Sequence, residues 1–465
     1  MPRARRRPLP LGPGGGLSAP RRHLGAGAAL SVVVQGGPLA AAAALSIVLA
    51  RTIGPSGNGR FALLATLVGL TGMVVSLGLS AGIIYEVSRG RWSVRSASRT
   101  SYAAGLVLGA IGLAGALVVF LLLHDSVFHS IGTSLAVVAL ASLPPAIAYQ
   151  FADSILLGRE RYEGYAALEL SHSATLLVIG AGLALVFGLS GAVVGLLAAA
   201  LIGAGVGILL LIPEARRDST VDQVGRLRRA LRFGSQAWGA NLLQQINYRF
   251  DVLILAAFAS SQDVGVYSVA LTLTAVAWVL PQALTTVLFP RIASLDQATV
   301  TGEITADESD AALAKGVRHA VLLSIPAGVI IGLLLLVAVP LIYGPEFHQT
   351  IWLGLVLLPG TLLLGVAKVL STVVTGRGYP RYALYASVVQ ASAALGLYFG
   401  LIPPFHAWGA AAASSLSYAF AAVVALFFVR KVTTIGFREA FVPRADDVAD
   451  YVGLVRLARA WRPGR

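Results

Sequence analysis

Twelve times between residues 26 and 429 the chain enters an apolar run about as long as a bilayer's hydrocarbon core is thick, then breaks briefly. A helix rises 1.5 Å per residue, so about 20 apolar residues cross about 30 Å of hydrocarbon. The runs predict spans at 26–50, 61–86, 101–123, 132–157, 166–188, 191–213, 234–259, 264–289, 319–343, 351–375, 382–402 and 408–429. Only 12% of the residues are charged, against about 25% in an average soluble domain. No soluble core absorbs so much apolar sequence with so little charge to cover it. In lipid every backbone polar group must be satisfied internally, which leaves helices as the form for runs of this length. The expected fold is an all-α integral membrane protein of about 12 transmembrane helices.

The basic residues test this segmentation. Of 35 arginines and lysines, 31 fall in alternate loops and at the two ends. The opposite loops hold only Arg51 and Arg60, and Arg249 and Lys368 lie inside spans. Cytoplasmic loops carry such an excess, so both termini are expected in the cytoplasm. The net charge of +14 is thereby a matter of orientation, and no nucleic-acid partner is implied. The predicted organisation is a disordered basic arm (1–23), a first six-span lobe (24–213), a basic linker (214–233), a second six-span lobe (234–429) and a basic tail (430–465). In the tail, Leu454, Leu457, Ala458 and Trp461 recur at helical spacing beside Arg456, Arg459 and Arg462. That pattern suits a helix on the anionic inner leaflet.

Enzyme chemistry finds no footing. There is no cysteine, no phosphate-binding glycine loop, and every predicted external loop is short. Gly78-Leu79-Ser80-Ala81-Gly82 has the spacing of a nucleophile elbow, but it lies in an apolar span without the strand–turn–helix setting. No cofactor or metal is implied, and His124, His129, His348 and His406 read as solvated loop residues.

The chain also repeats itself. Gly59 at the start of span 2 and Gly265 at the start of span 8 are 206 residues apart. Gly158-Arg159 and Gly376-Arg377, and Gly191-Ala192 and Gly409-Ala410, recur at an offset of 218. Spans 4 and 10 carry mid-span breakers, Pro144-Pro145 and Pro359-Gly360. Two pseudo-symmetric six-helix halves follow. Six is even, so their axis runs along the membrane normal, and transporters built this way bind substrate between the halves.

Ionisable residues inside spans cost about 2.5–3.5 kcal/mol each at a helix centre, so they tend to face wet cavities. Arg249 and Asp251 stand near the middle of span 7. Asn241, Gln244, Gln245 and Tyr248 form one polar stripe there, with Arg249 and Asp251 on opposite flanks. This group and Lys368 of span 10 are the candidate cavity residues; helix–helix hydrogen bonding is the alternative for the stripe. Lys368 is free to snorkel, to pair with Asp251 or to bind an anion. Glu86, Asp153, Glu169 and His172 lie towards the cytoplasmic ends of spans 2, 4 and 5. They suit either interfacial ion pairs or an ion site and inner gate. Gly36-Gly37-Pro38 is expected to break span 1, and Pro281 to bend span 8; with Pro144-Pro145 and Pro359-Gly360, such breaks are candidate hinges, with plain packing as the alternative.

Ala50-Arg51-Thr52-Ile53-Gly54-Pro55-Ser56-Gly57-Asn58-Gly59-Arg60-Phe61 resembles the opening motif of bacterial oligosaccharide and polysaccharide flippases. These form the polysaccharide-transporter branch of the multidrug/oligosaccharidyl-lipid/polysaccharide exporter superfamily. Asn247 to Leu255, Asp263 to Ser268 and Leu288-Phe289-Pro290-Arg291 resemble that family's seventh and eighth spans. The resemblance covers roughly residues 25–430. It implies a flippase in the bacterial inner membrane that moves an oligosaccharide linked to polyprenyl pyrophosphate outward by alternating access, with polysaccharide-assembly proteins as possible partners. An ion-coupled multidrug exporter of the same superfamily would carry an acid in span 1, where this chain has none. A lipid II flippase would show fourteen spans and cavity arginines in its first lobe. A membrane glycosyltransferase or polymerase would need a large external loop.

Overall fold

The computed structural model describes residues 22–219, 222–224, 226–442, 444 and 446–447. The basic arm up to residue 21 and the tail segment 451–461 lie outside the described residues. All regular structure among the described residues is helical. The protein is an all-α, multi-pass membrane protein.

Among the described residues, seven helical stretches are long and apolar enough to cross a membrane. Three of them contain one non-helical residue, at Gly54, Gly188 and His406. The chain doubles back at these points. Ser414 Oγ and Tyr398 Oη lie 3.4 Å apart although 16 residues separate them, which is about 24 Å along a straight helix. A methyl group on Gly195 would sit 2.3 Å from Gly180 Cα, on the other side of Gly188. Phe61 packs with Leu45 and Leu49 across Gly54. The helices are therefore α1 (22–53), α2 (55–88, kinked at 76–78), α3 (94–122), α4 (133–158), α5 (162–187) and α6 (189–217). The second set is α7 (226–258), α8 (261–301), α9 (306–343), α10 (345–376), α11 (380–405) and α12 (407–432). Helix α7 carries several arginines and amides, and a 3₁₀ turn at Ala275–Trp278 interrupts α8.

The breaks differ in part from expectation. Helix α4 does break, at residues 141–142, and Pro144 and Pro145 occupy the first turn of its second piece, where missing N–H groups cost least. Helix α10, however, runs unbroken through Pro359, and the Gly360 N–H donates to Ser415 Oγ at 3.1 Å. A neighbouring helix thus provides for backbone next to the proline, which lets the helix continue. Helix α1 likewise passes through Gly36-Gly37-Pro38 without a break. Gly37 serves packing there, since a methyl group on it would sit 2.9 Å from Leu170 Cδ2. In α8 the irregular turn ends just before Pro281, whose missing N–H would otherwise bond within that turn.

The internal repeat is visible as reciprocal contact. A methyl group on Gly59 would lie 2.0 Å from the Ser261 carbonyl oxygen, and one on Gly265 would lie 1.9 Å from the Pro55 carbonyl oxygen. Pro55 and Ser261 are related by the same offset of 206 residues as Gly59 and Gly265. So α2 and α8 cross backbone to backbone at equivalent positions, as expected near a two-fold axis. The Gly265→Val protein is accordingly expected to lose about 1–3 kcal/mol of stability through overpacking. Gly69→Val, where nothing lies within 4 Å, serves as the control. Thermal unfolding of the purified variants tests this; equal midpoints for the two would refute the close crossing.

Apolar packing is distributed unevenly along the membrane normal. On the arginine-poor face one cluster joins both halves, with Leu63, Leu64 and Phe120 packed in the same body as Val252, Val269 and Leu353. Towards the arginine-rich face two separate clusters form. One contains Ile83, Phe151 and Ile155 of the first half, the other Leu313, Val369 and Val429 of the second. Helix α7 bridges this division: Ala230 belongs to the first-half cluster, whereas Val252 lies in the shared one. Part of the segment expected to be linker is therefore the first two turns of α7.

Ion pairs secure the arginine-rich face. Arg318 donates to Asp447 through Nε (2.6 Å) and Nη2 (3.2 Å), and to the Glu439 carbonyl through Nη1 (2.7 Å). The guanidinium holds the Asp447 carboxyl below the usual carboxylate range. A lowered folded pKa means that this mooring is present at neutral pH and is lost only as pH falls through that value. Asp310 similarly accepts from Arg377 and from Thr434 N and Oγ1.

Candidate functional site

A cavity of about 900 Å³ lies between the two halves, at the large end of the range for small-molecule sites. Residues from α1, α2, α5 and α6 line one side, and residues from α7, α8, α10 and α12 line the other. Gln244, Gln245, Tyr248 and Arg249 face it together, as helical spacing i, i+1, i+4, i+5 requires. Asn241 lies on the same helix, but its side chain is outside the described residues.

Lys368 reaches the cavity from α10. Its Nζ lies 4.1 Å from the centre of the Trp278 ring and 5.5 Å from that of Tyr248. The ring faces attract the ammonium electrostatically, which holds it beside the cavity rather than at the membrane surface. Tyr248 in turn contacts Trp278 and Tyr418, with ring centres 5.4 and 5.9 Å apart. Trp278 and Tyr418 were not among the expected site residues. Aromatic residues in apolar spans carry no periodic signal that separates cavity from core.

Asp251 lies elsewhere. Two residues past Arg249 on a helix is a rotation of about 200°, which carries it to the opposite face. The residue is 0% exposed. It accepts from Tyr267 Oη (2.5 Å), Ser414 Oγ (3.2 Å) and Val252 N (2.8 Å). It therefore ties α7 to α8 and α12, and the expectation that it lines the cavity is corrected. Nor does Lys368 pair with it, since the ammonium sits on the aromatic rings instead. Asp251→Ala would remove the carboxylate that accepts from two buried hydroxyls and leave them only each other and Tyr398, so a loss of about 1–3 kcal/mol in stability is expected, with Asp251→Asn milder. Thermal unfolding of both variants decides; a native midpoint for Asp251→Ala would show that the cluster has no structural weight.

The second group of expected residues lies outside the cavity lining. Glu86 is buried and accepts from Arg229 Nε at 2.9 Å, with Arg91 Nη1 at 4.0 Å. It pins the start of α7 to α2, aided by Tyr85 stacked on Phe233 at 4.0 Å. Glu169 accepts from Tyr149 Oη at 2.6 Å, and the Tyr149 ring stacks on His172 at 4.6 Å. Asp153 lies on the same helix as Tyr149, one turn further on. These groups join α4 to α5 within the first half. Among the described residues no three acidic or histidine side chains are grouped as a metal site would need.

Contacts join the two halves on the arginine-poor face. Arg51 Nε and Nη2 donate to the Ile342 and Leu341 carbonyls at 2.6 and 2.7 Å, which fastens the α1–α2 hairpin to the end of α9. Ser130 Oγ and Ser261 Oγ meet at 2.8 Å, again between the two halves.

Comparison with known proteins adds lineage to this geometry. A 395-residue stretch, 84% of this chain and 80% of the relative, is 23% identical to the "Probable low-salt glycan biosynthesis flippase Agl15" of Haloferax volcanii. Among solved structures, an inward-facing multidrug resistance MATE family transporter of the MOP superfamily matches with a TM-score of 0.66 at 19% identity, over 86% of this chain and 98% of that one. The lipid II flippase MurJ in an inward closed conformation also matches at 0.66, with 13% identity, over 86% of this chain and 87% of that one. At such identities the likeness is one of fold. The family model described as "Polysaccharide biosynthesis protein" matches residues 24–296, more than half of the chain, and the protein belongs to that family.

Proposed function

We propose that this protein is a flippase that carries an oligosaccharide linked to polyprenyl pyrophosphate from the inner to the outer leaflet of a bacterial inner membrane. The single observation that carries this reading is the charge of the cavity. Its charged lining residues among those described are Arg249 and Lys368, both cations, set in a wall of amides and aromatic rings. Cations in a low-dielectric cavity favour an anionic head group such as pyrophosphate. Amides hydrogen-bond sugar hydroxyls, and aromatic faces cover the apolar faces of sugar rings. The same cations disfavour the organic cations that a multidrug exporter would carry, and α1 offers no acid to receive them. The lipid II reading fits less well, because both cavity cations belong to the second half.

The route is alternating access. The lobes 24–213 and 234–429 rock about the cavity, with the arginine-rich face and both termini in the cytoplasm. Contact between the halves on the arginine-poor face, with separate clusters on the other, suits a state that loads from the cytoplasm. The basic tail rests on the anionic inner leaflet, and polysaccharide-assembly proteins receive the product outside.

Reconstituted protein is expected to speed transfer of a lipid-linked oligosaccharide across vesicle membranes. The chain has no cysteine, so a Ser130→Cys/Ser261→Cys pair can be oxidised without background. The resulting disulfide would hold the outer contact and stop transfer, and reductant would restore it. Transfer no faster than in protein-free vesicles would reject the flippase reading. Full transfer by the cross-linked protein would reject alternating access across this contact.

A further inference from the structure

The two walls of the cavity differ in chemistry. The second half contributes both cations, the amides and the aromatic cluster. The first half contributes Leu39 of α1, Phe61 of α2, Leu176 of α5 and Leu196 of α6, each partly exposed, with Leu45 and Leu49 of α1 buried behind them. Its polar groups, Ser46, Asn58 and Thr66, are uncharged and buried. On α1 residues 38, 39, 42, 45, 46 and 49 lie on one face, which is open to the cavity at Pro38, Leu39 and Ala42 and buried from Leu45 to Leu49.

We infer that this apolar wall is a subsite for the prenyl units adjacent to the pyrophosphate, so that the substrate lies across the seam with its charge on the second half and the start of its chain on the first. The inference rests on the flippase reading above. Its argument is continuity: the cationic wall and the leucine wall enclose one space. A head group drawn into that space brings its first prenyl units with it, because they are covalently attached. Those units leave lipid for a protein surface, and they do so without penalty only where that surface is apolar. A sugar set against the leucine wall would instead leave its hydroxyls unpaired. The walls thus read the two ends of an amphipathic molecule, and the orientation of the head group follows.

This predicts a measurable split between two soluble probes, geranyl pyrophosphate and inorganic pyrophosphate. Binding is measured by calorimetry on the full chain in lipid nanodiscs, with empty nanodiscs subtracted. The expected result is that geranyl pyrophosphate binds at least tenfold more tightly. Leu39→Gln and Leu196→Gln are each expected to weaken geranyl pyrophosphate at least tenfold more than inorganic pyrophosphate. Arg249→Gln is expected to weaken both probes alike. A geranyl pyrophosphate analogue with a photoreactive group on its first prenyl unit provides a second measurement on the unsubstituted protein. It should label the α1 peptide containing residues 38–49, or the α5–α6 peptides containing Leu176 and Leu196. Equal binding of the two probes, or labelling confined to α7, α8, α10 and α12, would overturn the subsite while leaving the cationic site standing. If neither probe binds, or Arg249→Gln affects neither, the flippase reading fails and the subsite falls with it.

Discussion

Replacing Arg249 by glutamine and Lys368 by methionine in one protein is expected to cut flipping by two to four orders of magnitude. A hydrogen bond to a charged group contributes about 1.5–3 kcal/mol, and 1.4 kcal/mol is tenfold in binding. Each cation therefore accounts for roughly tenfold to a hundredfold. Both front one cavity, so some coupling between the losses is expected, and the two single variants belong in the same experiment. The structure separates their roles. Arg249 projects from the amide stripe of α7, whereas Lys368 is already stabilised by the Trp278 and Tyr248 rings. Lys368 must leave part of that contact to meet an anion, so its single substitution is expected to cost less. Initial rates in vesicles, at matched protein abundance, are the measurement. Unchanged rates in the double variant would show that the cavity does not hold an anion during transfer.

A membrane potential alone is expected to drive net transfer. Two negative charges on pyrophosphate, moved outward from a negative interior, gain about 2.3 kcal/mol each per 100 mV. The sum, about 4.6 kcal/mol, corresponds to more than a thousandfold in the equilibrium distribution. The sequence contains no phosphate-binding glycine loop, and a gradient is the drive this proposal expects. The cavity cations must stay nearly fixed along the membrane normal, because cations that travelled with the head group would cancel its electrical gain. Vesicles with an imposed potassium-diffusion potential, and no proton or sodium gradient, test this. Transfer that ignores potential and follows an ion gradient would refute it. Asp153, Glu169 and His172, on α4 and α5 of the first half, would then be the first residues to substitute, with Glu86 beside Arg229 next.

Several features of the molecule are decided by patterns local in sequence. Apolar runs of bilayer length have one satisfactory backbone form in lipid, so the helices and their approximate limits follow from composition along the chain. The recurrence of Gly59 at Gly265 was readable as a repeat because both glycines meet the same physical demand, a backbone too close to admit a side chain. The sequence groups Asn241, Gln244, Gln245 and Tyr248 as one stripe with Arg249 on its flank because a helix presents every third and fourth residue to one side, and all of these but Asn241, whose side chain is outside the described residues, line the cavity.

What the sequence could not decide is which surface each face meets. Asp251 is two residues from Arg249, and periodicity places them on different faces. Only the packing of α8 and α12 makes one face a hydrogen-bonded core and the other a cavity wall. For Lys368 the sequence leaves snorkelling, pairing with Asp251 and anion binding open, and only the fold brings its ammonium against Trp278, 90 positions away in the chain. Pro359 and Gly36-Gly37-Pro38 look like helix breakers in isolation, yet a neighbouring Ser415 hydroxyl and the Leu170 side chain accommodate them. The charge on one wall and the grease on the other belong to helices from separate halves. Their opposition exists only once the halves meet, because side-chain environment is set by contacts between segments far apart in the chain.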